Sequence, residues 1–66
     1  MNVYYKILLE FTNGATPCRE HLLRRYGEEL LSECIVKGYI VEIGSNTVGE
    51  IIYNITDKGK HARDNW

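Results

Sequence analysis

Two short apolar runs near the end of the chain, Tyr39-Ile40-Val41-Glu42-Ile43 and Ile51-Ile52-Tyr53-Asn54-Ile55, flank a loop bounded by Gly44 and Gly49. Short runs rich in β-branched and aromatic residues, separated by turn residues, predict a β-hairpin. The rest of the chain must supply the core that covers its apolar face. One register sets Val41 opposite Tyr53 and Ile43 opposite Ile51. It gathers Tyr39, Val41, Ile43, Ile51, Tyr53 and Ile55 on one face and puts Glu42 and Asn54 on the other. Ile40 and Ile52 then meet on the outer side. Either the true register is displaced by one residue, or the hairpin carries a second apolar surface.

Three helices are predicted ahead of the hairpin. Tyr4, Ile7, Leu8 and Phe11 follow the spacing of one helical face, so a first helix spans about 2–12 and stops at Asn13-Gly14. Thr16-Pro17 reads as a cap followed by a first-turn proline, opening a second helix that runs to about Arg25 and buries Leu22 and Leu23. Gly27 makes the turn. Glu28 and Glu29 suit the positive end of a third helix, whose buried face is Leu30, Leu31, Cys34 and Ile35. Lys37 falls in its last turn, and Gly38 closes it in the left-handed conformation. Thr56-Asp57 caps a short final helix with Lys58, Lys60, His61 and Arg63.

This order resembles the winged helix-turn-helix superfamily over nearly the whole chain. The strongest local matches are Lys37-Gly38-Tyr39-Ile40 and Ile55-Thr56-Asp57-Lys58-Gly59-Lys60, similar to the helix-to-wing and wing-exit segments of small bacterial and phage regulators. The resemblance implies an α+β fold: a single winged-helix domain over 1–66, three helices, a two-stranded hairpin wing and a C-terminal helical turn. It also implies double-stranded DNA as partner, with the third helix in the major groove and the hairpin loop on the backbone or minor groove. Carried onto this chain, the reading surface is Glu28, Glu29, Ser32, Glu33 and Lys37, and the wing tip is Ser45, Asn46 and Thr47.

Charge is where the chain departs from that pattern. The net charge is −1, distributed as +2 over residues 1–27, −4 over 28–50 and +1 over 51–66. DNA-binding domains draw most of their affinity from neutralised phosphates. Here the third helix carries three glutamates and one lysine, and the wing tip has no cation. Phosphate contacts would fall to Arg19, Arg24 and Arg25 on the second helix and to Lys58, Lys60 and Arg63 at the end of the chain. Glu20 and Arg24, four residues apart, are also placed to pair with each other.

Other chemistry finds little footing. Sixty-six residues bury only a modest core and leave no room for a large substrate pocket, so an enzyme is not expected. No nucleophile triad, phosphate-binding glycine loop or carboxylate pair is evident. Cys18, His21, Cys34 and His61 lack the two close-spaced pairs of a zinc site, and no metal or other cofactor is expected. Cys18, placed in the first turn of the second helix, is a candidate redox-sensitive thiol. No signal peptide or membrane span is read, and the expected location is the cytoplasm. Tyr4, Tyr5, Tyr26 and Trp66 are expected to be partly exposed, as aromatics at protein interfaces are. Any homodimer would use the first helix or the hairpin.

Two functions follow. The first is a small DNA-binding regulator positioned by Arg19, Arg24, Arg25, Lys58 and Lys60, with Ser32, Lys37, Ser45, Asn46 and Thr47 near the groove. The alternative is a protein-interaction module that presents the acidic face of the third helix or exposed aromatics.

Overall fold

A computed structural model describes residues 3–65. The expected helix start at Asn2 and the exposure of Trp66 lie outside them. The elements run α1 (Tyr5–Leu9), α2 (Arg19–Tyr26), α3 (Glu28–Val36), β1 (Ile40–Ser45), β2 (Ile51–Ile55) and α4 (Asp57–Asp64). Three helices, an antiparallel hairpin and a short last helix make up the expected α+β order.

α1 is shorter than its apolar spacing suggests. The amides of Glu10 and Phe11 donate to the carbonyls of Ile7 and Leu8, three residues back, so the last turn tightens before a 3-10 turn over Thr12–Gly14. The apolar stripe survives the change, with Ile7, Leu8 and Phe11 all buried.

α2 begins two residues later than expected. Cys18, not Thr16, precedes its first residue, with an extended ψ of 161°. The reason is tertiary. The Pro17 carbonyl accepts the Tyr53 amide at 3.2 Å, and Cys18 forms a bridge with Ile52. Residues 17–18 thus act as a strand stub on the outer edge of β2, and pairing with the sheet overrides the local cap signal. Gly27 alone joins α2 to α3, with φ 93° and ψ 161°.

α3 ends as expected. The Tyr39 amide donates to the Cys34 carbonyl and the Gly38 amide to the Ile35 carbonyl, both at 3.0 Å, while Gly38 takes φ 78°. These are the two bonds of a Schellman cap. Leu31 and Cys34 are buried and Leu30 half-buried, but Ile35 is exposed on the shoulder of the helix, contrary to expectation.

The hairpin register differs from the expected one. Ile40 pairs with Ile55, Val41 with Asn54 and Glu42 with Tyr53; beyond a bulge, Gly44 pairs with Ile52 and Ser45 with Ile51. The Thr56 amide donates to the Tyr39 carbonyl at 2.9 Å, which aligns the strands where α3 ends and α4 begins. A one-residue displacement exchanges the two faces of a strand. Ile40, Tyr53 and Ile55 are therefore in the core, while Val41 and Ile43 are each 48% exposed. The core is Ile7, Leu8, Phe11, Leu22, Leu31, Cys34, Ile40, Tyr53 and Ile55, where all three leading helices meet the inner face of the hairpin.

Thr56 and Gly59 lock the wing exit. The Thr56 hydroxyl oxygen accepts the Gly59 amide at 3.0 Å, and its proton is donated to the Gly38 carbonyl at 2.6 Å. One side chain thus caps α4 and ties it to the end of α3. Gly59 is buried against the Tyr39 carbonyl. A methyl group there would lie 2.7 Å from Ile55 Cγ1 and 2.9 Å from the Tyr39 carbonyl carbon.

Candidate functional site: the exposed face of α3

The structure separates the cations that the sequence offers as one set. Arg25 turns toward α1, its Nε 3.4 Å from Glu10 Oε2 and its guanidinium 6.0 Å from the Tyr26 ring centroid. Arg19 donates through Nη1 to the Tyr53 hydroxyl at 3.0 Å. Arg24 is exposed on α2, with no Glu20–Arg24 ion pair among the described residues. Arg63 pairs with Asp64. Lys58 lies over Tyr39, its Nζ 5.8 Å from the ring centroid, and Lys60 is exposed on α4.

The wing tip is largely occupied with its own turn. Asn46 Oδ1 accepts the amides of Val48 and Glu50, and Asn46 Nδ2 donates to Glu50 Oε1 at 3.2 Å. Ser45, Thr47 and Val48 are exposed, Val48 at 75%.

α3 presents a different surface. Glu29, Ser32, Glu33, Val36 and Lys37 line an open depression on its outer side. Val36 is 85% exposed, the most exposed of the large apolar side chains described. Glu33 and Lys37 stand four residues apart, the spacing at which a helix pairs opposite charges. They do not form an ion pair here. The Tyr4 hydroxyl donates to Glu33 Oε1 at 2.8 Å, and the Lys37 ammonium sits 5.6 Å from the Tyr4 ring centroid. The bond to Glu33 pushes the Tyr4 phenol up to about 12. Tyr4 also meets Tyr39 edge to face, centroids 5.5 Å apart, so Tyr4, Tyr39, Lys37 and Lys58 gather where α3 ends. Among the described residues, no ion pair involves Glu28, Glu29 or Glu33.

Of the candidates named from sequence, Ser32 and Lys37 thus share the α3 surface, and Lys58 approaches Lys37 through the tyrosine pair. Arg19 and Arg25 are bound elsewhere. Val36 is the residue that sequence reading missed. It follows Glu29 by seven positions and Ser32 by four, so helical spacing alone places it on the same face.

A second depression, lined by Lys6, Leu9, Glu10, Arg25 and Tyr26, surrounds the Glu10 carboxylate. Tyr26 donates to Glu10 Oε2 at 2.6 Å and His21 Nε2 to Oε1 at 3.0 Å. These bonds, with Arg25 beside them, hold the Glu10 carboxyl below its ordinary range. A depressed folded-state pKa contributes stability above the unfolded value, and that stability is lost as pH falls through the folded value. We expect Glu10→Gln to cost about 1 kcal/mol at neutral pH, as for hydrogen bonds to a charged acceptor on a partly solvated surface. Chemical denaturation of both proteins should show the gap closing in acid. A gap unchanged at low pH would contradict the assignment.

Among the described residues no three of His, Cys, Asp and Glu come together to hold a metal ion. Cys34 is buried in the core, and burial pushes its thiol up to about 11. Cys18 is half-buried beside the sheet, and both thiols are free. No helix among the described residues is long and apolar enough to cross a membrane.

The order of elements, the strand stub on β2 and the capped wing exit are consistent with a winged-helix-type domain. No family model, curated protein or solved structure matches the chain.

Proposed function

We propose that this domain is a binding module that engages a protein partner through the exposed face of α3. The observation that carries this reading is the character of that face. In the usual winged-helix mode it would lie in the major groove between two rails of phosphate. Here it offers two carboxylates, Glu29 and Glu33, around an exposed valine, and its lysine is held over a tyrosine ring. Each carboxylate brought near phosphate opposes binding, and of the α2 arginines Arg25 is paired with Glu10 and Arg19 is held on the Tyr53 hydroxyl, while Arg24 is exposed. Val36 adds an apolar point within a polar rim, and protein interfaces centre on apolar side chains inside such a rim.

The DNA-binding alternative draws on the fold order and on Lys37, Lys58 and Lys60, which lie at the ends of α3 and α4. Fold order alone is a weak guide to activity, since one architecture serves many functions.

A photo-crosslinking residue in place of Val36, compared with one in place of exposed Ala15, tests the proposal in the cells that make the protein. The expected adduct forms from position 36, is digested by protease and survives nuclease. A nuclease-sensitive adduct from position 36 would contradict it.

A further inference from the structure

Building on the proposed protein-binding role of α3, we infer that its partner is a basic amphipathic segment, with one apolar side chain seated on Val36 and lysines or arginines facing Glu29 and Glu33. Three features of the face point to this chemistry. The depression has an apolar wall in Val36, 85% exposed, which is large enough to anchor a side chain but not to form an interface alone. The carboxylates beside it are not neutralised from within the fold, because the one cation on the same face, Lys37, is drawn over Tyr4. Glu33 is also oriented in advance: the Tyr4 hydroxyl holds one of its oxygens and leaves the other to receive a donor.

Charge complementarity therefore selects the sign of the partner, and the valine selects a place along it. An acidic segment would meet the carboxylates of Glu29 and Glu33, and a purely polar one would leave Val36 in water. An amphipathic helix laid along α3 satisfies both demands, reading apolar and charged positions at helical spacing. Glu29 and Glu33, which count against duplex DNA, have a use in this arrangement.

The test employs a synthetic amphipathic helical peptide with a leucine stripe and a lysine-rich opposite face, and a counterpart in which every lysine is glutamate. Amide chemical shifts of the whole chain are followed with each peptide and, separately, with duplex DNA. The expected result is saturable shifts over residues 28–37 with the basic peptide, binding weaker by about tenfold or more with the acidic one, and loss of affinity as salt rises. Glu29→Gln and Val36→Ser should each weaken the basic peptide several-fold; both positions are exposed, and far-UV circular dichroism should match the parent. Equal binding of both peptides at α3 would overturn the charge assignment and leave the protein-binding role standing. Shifts over residues 28–37 with DNA and none with either peptide would overturn both. Basic-peptide binding unchanged in the two variants would place the contact elsewhere and overturn the inference.

Discussion

Gly59→Ala is expected to destabilise the domain by about 3 kcal/mol or more, the upper range for overpacking a filled site. The sign is informative because helix propensity alone favours alanine over glycine by about 1 kcal/mol inside a helix. Gly59 lies inside α4, so propensity predicts a gain. Packing predicts a loss: an added methyl meets the Tyr39 backbone, which the Schellman cap and the Thr56 amide hold in place, and Ile55 Cγ1 at 2.7 Å. A flexible side chain could move aside, whereas the Tyr39 carbonyl, which accepts from both the amide and the hydroxyl of Thr56, cannot. For a domain this small, 1 kcal/mol corresponds to about 4–8 °C in Tm, so thermal denaturation should show a fall of more than about 12 °C. A rise in Tm would mean that α4 does not pack as closely on Tyr39 and Ile55 as described.

The second large effect is at Thr56. Thr56→Val preserves the branched shape and removes the hydroxyl. It leaves the Gly59 amide without its cap and the Gly38 carbonyl without its donor. We expect a loss of about 2 kcal/mol, combining a lost N-cap of about 1 kcal/mol with a lost hydrogen bond of similar size. Thr56→Ser keeps the hydroxyl and should recover most of it. Denaturant midpoints for the three proteins provide the comparison. Serine and valine variants of equal stability would show that the hydroxyl does not join α3 to α4.

These two positions also show which parts of the fold are legible in the sequence. The αL turn at Gly38 and the Thr56 cap on the Gly59 amide act within a few residues and read directly from local order, whereas the Thr56 bond to the Gly38 carbonyl spans the hairpin and does not. The same holds for Ile7, Leu8 and Phe11, whose spacing outlasts the tightening of α1. Register is not local. β1 offers Ile40 and Val41, and β2 offers Ile51 and Ile52, so both parities carry apolar residues and alternation alone does not choose between them. The Tyr39–Thr56 bond makes the choice. Thr16-Pro17 is a sound local helix start, but it loses to pairing between Pro17 and Tyr53, 36 positions later.

The candidate site divides in the same way. Glutamates and lysine on α3 follow from helical periodicity, and Val36 follows from it too once the buried face is centred on Leu31 and Cys34. The engagement of Arg25 by Glu10 and of Arg19 by Tyr53 depends on contacts between distant segments. Sequence groups these arginines with Lys58 and Lys60 as a cationic set, and tertiary structure divides them. That division moves the functional reading from DNA toward a protein.

The most direct test of that reading is an amide chemical-shift titration with random-sequence duplex DNA at low salt, where electrostatic binding is strongest. Unchanged shifts over residues 28–37 and 44–49, up to DNA concentrations at which non-specific binders saturate, are the expected result. Shifts clustered on α3 and the wing that disappear as salt is raised would mean that the domain reads DNA in the usual winged-helix manner despite its glutamates, and would contradict the protein-binding role proposed for α3.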